Sequence, residues 1–182
     1  MNKLAAIALV LGFFTSKAQT APADLPVDPD TKQAKWEGVV DVKDVKKDEL
    51  YDRGLNWVNT FYTNPAGVIK SQNKETGDLE GKARFKLNTK DKKGVISPNG
   101  GIVEYTFNLY FKDGKYKYEI TRVHFVAQSY YDVSKWLDKT QVNYNEAAFT
   151  YNLEQTIEYM EKLEDALDEA MRKSLEKKKS DW

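Results

Sequence analysis

The sequence predicts an α+β fold in the order β-α-β-β-β-β-α, with one antiparallel sheet of about five strands. Apolar and polar residues alternate strictly over 79–87 and 103–111, which is typical of strands with one buried face. The two-residue sequence Asp113-Gly114 then turns the chain into another β-rich run, as in a hairpin. Two further segments carry apolar residues at helical spacing. Packing two helices on one sheet face leaves the other face in water.

The first strand and the first helix are predicted near the start of the folded part. Residues 37–43 are β-rich. Asp48 is expected to cap the helix that follows, where Leu50 and Phe61 lie at helical spacing. Pro65 ends this helix, because proline disfavours the α conformation in the preceding residue.

The second and third strands follow the helix. Residues 68–73 predict a strand and residues 74–78 a turn. Residues 79–87 place small and apolar side chains on one face and charged ones on the other. Residues 88–101 are rich in Lys, Asp and Gly, which predicts a polar loop.

The hairpin at 102–125 gives the strongest local signal. Its two-residue loop sets three pairs on one face: Phe111 with Tyr116, Leu109 with Tyr118, and Phe107 with Ile120. Strict continuation would turn Val123 and Phe125 towards water. A bulge near Arg122 is therefore expected, since one extra residue returns both side chains to the core.

The chain ends in an irregular aromatic segment and a long helix. Tyr130, Tyr131, Trp136 and Tyr144 lie within residues 126–145 and either complete the core or project as a binding loop. The final helix carries an apolar stripe from Leu153 to Leu175. Its distal part either packs on the sheet or projects towards another chain.

The N-terminus has the three parts of a secretory signal peptide. Lys3 precedes an apolar run, and small residues precede a cleavage site after Ala18. We therefore expect a signal peptide at 1–18, a disordered Pro/Asp-rich leader at 19–36 with order beginning near Trp36, and a single domain at 37–179. No cysteine is present, so the exported protein is not a lipoprotein and has no disulfides.

Charge and composition exclude several functions. Residues 1–18 contain two lysines and no acids, so their removal leaves the otherwise balanced chain with a formal net charge of −2. Nucleic-acid binding requires a clustered basic surface, which this balance does not favour. The sequence contains no pattern for a metal site or a cofactor, and both are expected to be absent.

Three segments resemble a known exported bacterial family of domains of unknown function, the DUF4468 type. They are DELYDRGLNW at 48–57, GKARF at 81–85 and YFKDGKYKYEIT at 110–121. The resemblance covers roughly residues 36–125 and implies a TBP-like fold, a curved antiparallel sheet backed by two helices. It transfers no catalytic residue. The TATA-binding protein binds DNA with its open sheet, but acidic and basic side chains are mixed on the corresponding face here, so a DNA function is not expected.

No arrangement of residues predicts catalysis. His124 is the only histidine, and a strand histidine without a visible partner is expected to have a structural or surface role. Acidic residues on the last helix, such as Glu158 and Glu161, lie on its charged face and are expected to be solvated.

The sequence favours a non-enzymatic binding module, exported to the periplasm or secreted. Its partner would be an envelope protein, a peptide or a glycan. The alternative is a hydrolase that acts on an envelope polymer through two carboxylates in a cleft. The candidate binding surface combines the open sheet face with the aromatic segment: Lys82, Arg84, Tyr110, Lys117, Tyr130, Tyr131 and Trp136.

Overall fold

A computed structural model of the chain describes residues 24–173. The predicted signal peptide at 1–18 and the end of the predicted domain beyond residue 173 lie outside the described residues. The elements are β1 (Trp36–Asp41), α1 (Lys47–Phe61), α2 (Pro65–Val68), β2 (Ile69–Asn73), β3 (Asp78–Lys90), β4 (Ile96–Lys112), β5 (Lys115–Phe125), β6 (Tyr131–Asp132), a 3₁₀ helix (Val133–Leu137) and α3 (Glu146–Arg172).

The predicted α+β fold and its order of elements are confirmed. The strands form one antiparallel sheet in the order β1-β5-β4-β3-β2, and the short β6 pairs with the far end of β5. Helices α1 and α3 pack against each other and against the same face of the sheet. The opposite face, called the open face below, carries no helix among residues 24–173.

The core lies between this sheet face and the two helices. Tyr105, Phe107, Leu109 and Phe111 of β4 alternate into it and are at most 1% exposed. The ring of Trp57 in α1 meets Phe107 edge-on, with 5.5 Å between ring centroids. Burying each large apolar side chain contributes roughly 1.5–3 kcal/mol, so this aromatic layer stabilises the fold without disulfides.

The hairpin has the predicted register. Phe111 pairs with Tyr116, Leu109 with Tyr118, and Phe107 with Ile120. The predicted bulge is also present, because the β4–β5 register shifts between Glu104 and Thr106 and Arg122 has a φ of 53°. As a result, Val123 is buried and Phe125 is half-buried.

The predicted cap of the first helix is wrong. Helix α1 begins at Lys47, so Asp48 lies inside its first turn. The carboxylate of Asp113, in the turn between β4 and β5, instead accepts the Lys47 backbone N–H at 2.8 Å. A side chain distant in sequence therefore satisfies an N–H group that local residues leave free.

The prediction that order begins near Trp36 is also wrong. Within the described part of the leader, Leu25 and Ala34 are buried against the core and Val27 forms a β-bridge with Ala34. The Ala34 N–H donates a 3.1 Å hydrogen bond to Asp132. Two apolar residues and this one contact therefore hold residues 24–35 on the domain, despite their Pro/Asp-rich composition.

The polar loop predicted at 88–101 is much shorter. Strand β3 continues to Lys90 and β4 begins at Ile96, so only residues 91–95 form the turn. A register shift after Leu87 accommodates the Gly100-Gly101 pair, and Gly101 has a φ of 99°. The polar composition reflects an exposed two-stranded extension of the sheet, not the absence of strands.

Candidate functional site

The open face carries charged and polar side chains in regular rows. Because side chains alternate along strands, Lys82 and Arg84 of β3, Tyr110 of β4 and Lys117 of β5 all lie on this face. Four residues of the predicted binding surface therefore share one side of the sheet.

Ion pairs neutralise much of this face. Lys82 contacts Glu104 with 2.6 Å between Nζ and Oε1, and Lys117 contacts Glu119 at 2.5 Å. The Tyr110 hydroxyl also donates to Glu119 at 3.4 Å. Such ion pairs fix side-chain positions more than they stabilise, since exposed pairs contribute about 0–1 kcal/mol.

A groove of about 610 Å³ lies beside the outer edge of β3, next to the first residues of β2. We call it the β3-edge groove. It is lined by the end of α1, the segment through α2, the start of β2, the middle of β3, one residue of β4 and one residue of α3. Its basic residues are Lys70, Lys82 and Arg84, and Glu104 is its one carboxylate.

Aromatic rings form the helix-side wall of the β3-edge groove. Phe85 of β3 stacks on Tyr159 of α3, with ring centroids 3.9 Å apart. Phe61 and Tyr62, at the end of α1, complete the wall and pack edge-on against each other. The groove thus has one apolar side and one cationic side.

A chain of hydroxyl groups ties this wall to the centre of the sheet. The Tyr105 hydroxyl lies 2.9 Å from that of Tyr62 and 3.1 Å from that of Tyr159. Burial raises the pKa of all three tyrosines above the ordinary value. All three hydroxyls are therefore neutral at physiological pH, and each can donate one hydrogen bond.

A second concavity, the hairpin-end depression, lies on the open face near the turn between β4 and β5. Its volume is about 510 Å³, and Tyr110 and Lys117 line it together with Val39, which is 64% exposed. Asp78 and Glu119 also line it. Lys117 and Tyr110 contact Glu119, so one of its two carboxylates is already paired.

The aromatic segment at 126–145 is divided between core and surface. Trp136 is 3% exposed and packs on Phe125, so it belongs to the core and not to a binding surface. Tyr131 is half-buried and donates to Gln141 at 2.7 Å. Tyr130 is 45% exposed, and partial burial of its hydroxyl, together with the nearby Asp132 carboxylate, raises its pKa to about 12.

His124 lies on the open face, where the bulge places it opposite Glu104. Its Nδ1 is 2.8 Å from the Arg122 carbonyl oxygen, so the ring donates there when that nitrogen carries the proton. Its Nε2 lies 3.5 Å from Glu104, and the ring packs on Tyr130 at 4.8 Å. These contacts hold the ring in place on the sheet.

Five of the seven residues predicted for the binding surface therefore fall into three places. Lys82 and Arg84 line the β3-edge groove, Tyr110 and Lys117 line the hairpin-end depression, and Tyr130 lies near His124. Sequence reasoning missed the aromatic wall of the groove, which comes from three separate elements. The one local signal was the Phe61-Tyr62 pair just before Asn64-Pro65, where a helix end was already expected.

Residues 24–173 contain no cluster of three His, Cys, Asp or Glu side chains suited to hold a metal ion. Among the helices in this part of the chain, none is both long enough and apolar enough to span a membrane.

An antiparallel sheet with helices on one face and an open second face defines the TBP-like class of α+β domains. The model of the DUF4468 family, described as a domain of unknown function with TBP-like fold, matches residues 36–126. This span is half of the chain, and the protein belongs to this family.

Two solved structures share the fold. A TBP-like protein from Parabacteroides distasonis superposes with a TM-score of 0.66 at 14% identity, covering 83% of this chain and 99% of its own. A DUF4468 family protein from Bacteroides ovatus gives a TM-score of 0.63 at 11% identity, covering 83% of this chain and 93% of its own. No protein of curated function matches this chain.

Proposed function

We propose that this chain is a non-enzymatic binding module, exported to the bacterial cell envelope, that binds an anionic partner in the β3-edge groove. The export part of this proposal rests on the three-part N-terminal sequence ending at Ala18. The binding part rests on the groove itself.

The observation that carries the proposal is the pairing of an aromatic wall with a cationic rim. The volume of about 610 Å³ lies within the range of about 300–1,000 Å³ typical of ligand sites. Lys70, Lys82 and Arg84 face one carboxylate, Glu104, so the groove has excess positive charge. Arg84 forms no ion pair among residues 24–173 and is exposed. An anionic group would therefore find a cation whose charge is not already matched.

The same groove does not favour the hydrolase alternative. Hydrolysis by paired carboxylates needs two acidic groups converging on one bond. The β3-edge groove offers Glu104 alone, and Lys82 holds it at 2.6 Å. Glu158 and Glu161 of α3 are exposed and line neither concavity.

Capture from native cell-envelope extract tests the proposal. The tagged protein is compared with a Lys82→Gln/Arg84→Gln variant, which removes the two groove cations contributed by β3 without placing an acid beside Glu104. A Lys92→Gln/Lys93→Gln variant removes two exposed lysines in the 91–95 turn and serves as the matched control. Bound components are eluted with salt and identified by mass spectrometry, and thermal unfolding checks that all three proteins fold.

A component that elutes with salt, persists with the control and is lost with the groove variant is the expected result. Equal retention of every component by the groove variant would refute the groove as the binding site. Loss with both variants would show attraction by net charge only, and would refute the groove equally.

A further inference from the structure

The outer edge of β3 is uncovered along the β3-edge groove. Strand β2 pairs with β3 only from Asp78 to Gly81, whereas β3 continues to Lys90. No strand among residues 24–173 pairs with the outer side of β3 at 82–87. An unpaired strand edge presents a row of main-chain donors and acceptors.

The direction of these main-chain groups follows from the β3–β4 register. The Gly77 carbonyl, directly before β3, accepts the Phe111 N–H at 2.8 Å, so Gly77 and Phe111 form a hydrogen-bonded pair. Such pairs recur at every second residue, and the N–H and C=O groups of the odd-numbered residues of β3 therefore point towards β4. The N–H and C=O groups of the even-numbered residues point away from β4, towards the outer edge of the sheet. Asn88 obeys this rule, since Gln155 of α3 accepts its N–H at 2.8 Å and donates to its carbonyl at 3.1 Å. Arg84 accordingly presents both main-chain groups to the groove.

Gln155 also marks where the uncovered edge ends. Its side-chain amide forms with Asn88 the pair of hydrogen bonds that a neighbouring strand would form. Coverage by β2 up to Gly81 and by Gln155 at Asn88 leaves a gap of about six residues. The β3-edge groove lies at this gap, with Ala83, Arg84 and Phe85 in its lining.

The side chains around the gap define what would fit. Lys82, Arg84 and Lys86 project from β3 on the open-face side and are exposed. The rings of Phe85 and Tyr159 lie on the helix side. A strand added here would place alternate side chains beside the cations and the remaining ones against the aromatic wall.

We propose that the partner is an extended peptide with alternating acidic and apolar residues, which adds as a strand to β3 at residues 82–87. This inference rests on the proposed function and names the partner class of the same groove. Main-chain hydrogen bonds would supply affinity, and the alternating side chains would supply register. A second copy of this chain is disfavoured at the edge, because its lysines and arginine would meet their like charges.

The experiment uses fluorescein-labelled octapeptides in which Glu and Val alternate, titrated with the full-length protein and followed by fluorescence anisotropy. Two further peptides carry N-methyl groups, one on every Glu and the other on every Val. In an added strand, alternate N–H groups point towards β3 or away from it. The Glu/Val pattern prevents a shift by one residue, since that shift would move Val beside the cations. Controls are a block peptide of the same composition and an oligogalacturonate of equal charge.

The unmodified peptide is expected to bind, and only one of the two N-methylated peptides should lose at least about tenfold in affinity. The block peptide and the oligogalacturonate should bind at least about tenfold more weakly than the alternating peptide. Lys82→Gln/Arg84→Gln should weaken the alternating peptide by a similar factor, and Lys92→Gln/Lys93→Gln should not. Hydrogen exchange at the Arg84 amide should slow when the peptide is bound.

Equal binding of both N-methylated peptides, or of the oligogalacturonate, would overturn strand addition while leaving an anion-binding groove intact. No binding of any peptide, with capture from envelope extract still dependent on Lys82 and Arg84, would also overturn the inference but not the proposed function. Failure of both experiments would refute both.

Discussion

The tyrosine hydroxyl chain behind the β3-edge groove gives a quantitative test of the structure. Tyr105 is fully buried and its hydroxyl contacts those of Tyr62 and Tyr159, which are half-buried and line the groove. Tyr105→Phe removes both hydrogen bonds, each of which contributes about 0.5–1.5 kcal/mol. Because the Tyr62 and Tyr159 side chains are only half-buried, we expect the free energy of unfolding to fall by about 1–2 kcal/mol.

The double variant Tyr62→Phe/Tyr159→Phe loses the same two hydrogen bonds but should be less stable than Tyr105→Phe. It leaves the buried Tyr105 hydroxyl without a partner, which costs about 1–3 kcal/mol in addition. Adding Tyr105→Phe to the double variant should then restore part of the lost stability, since the unpaired hydroxyl is removed.

Urea unfolding followed by tryptophan fluorescence measures all of these free energies. The dependence on urea concentration should be unchanged, because the surface exposed on unfolding is nearly the same. A double variant as stable as Tyr105→Phe, or a triple variant less stable than the double, would refute the hydroxyl chain as described.

Two other predictions concern the helices. Arg53 is 4% exposed, donates to the Met171 carbonyl in the last turn of α3 and pairs with Glu49 at 2.7 Å. Arg53→Ala should therefore lower the free energy of unfolding, measured in urea, by about 2–4 kcal/mol. Glu49→Gln should lower the same free energy by less than about 0.5 kcal/mol, since Glu49 is half exposed. Equal losses for the Arg53 and Glu49 variants would contradict a stabilising contact between Arg53 and α3. Burial raises the pKa of Glu164 in the folded protein, so folding favours the protonated carboxyl. The stability contributed by this group is therefore present at low pH and lost as the pH rises. Glu164→Gln should therefore unfold at a higher temperature than the wild-type protein at pH 7, and the difference should disappear near pH 4. The opposite pH trend in thermal unfolding would contradict the burial of this carboxyl.

Much of the sheet could be predicted because its determinants are local. The Asp113-Gly114 turn sets the hairpin register, and the mismatch beyond Ile120 indicates the bulge at Arg122. These features depend on the period of two along a strand, which any alternating sequence displays. The family resemblance at 48–57, 81–85 and 110–121 agrees with the same elements and with the family match at 36–126.

What the sequence did not reveal depends on contacts between distant segments. The cap of α1 comes from Asp113, 66 residues after Lys47. Residues 24–35 are held partly by Asp132, 98 residues after Ala34. No local pattern encodes either contact, because both require the folded sheet to bring the partners together.

The candidate site was predicted only in part for the same reason. Alternation along β3 predicts Lys82 and Arg84 on the open face, but the groove exists only because β2 begins at Ile69 and α3 places Tyr159 beside Phe85. Trp136 was assigned to the candidate surface from its residue type, and the 3₁₀ helix turns it into the core.

The contact between Asp113 and the Lys47 N–H limits where the protein can be engineered. Hairpin tips usually tolerate inserted residues, so the turn between β4 and β5 would ordinarily be chosen to carry an epitope or a fluorescent label. Here an insertion would displace the carboxylate that caps α1 and would destabilise the first turn of that helix. The turn at 91–95 is exposed, its Asp91 carboxylate bonds only to N–H groups of the same turn in the described residues, and it is the better position for a label.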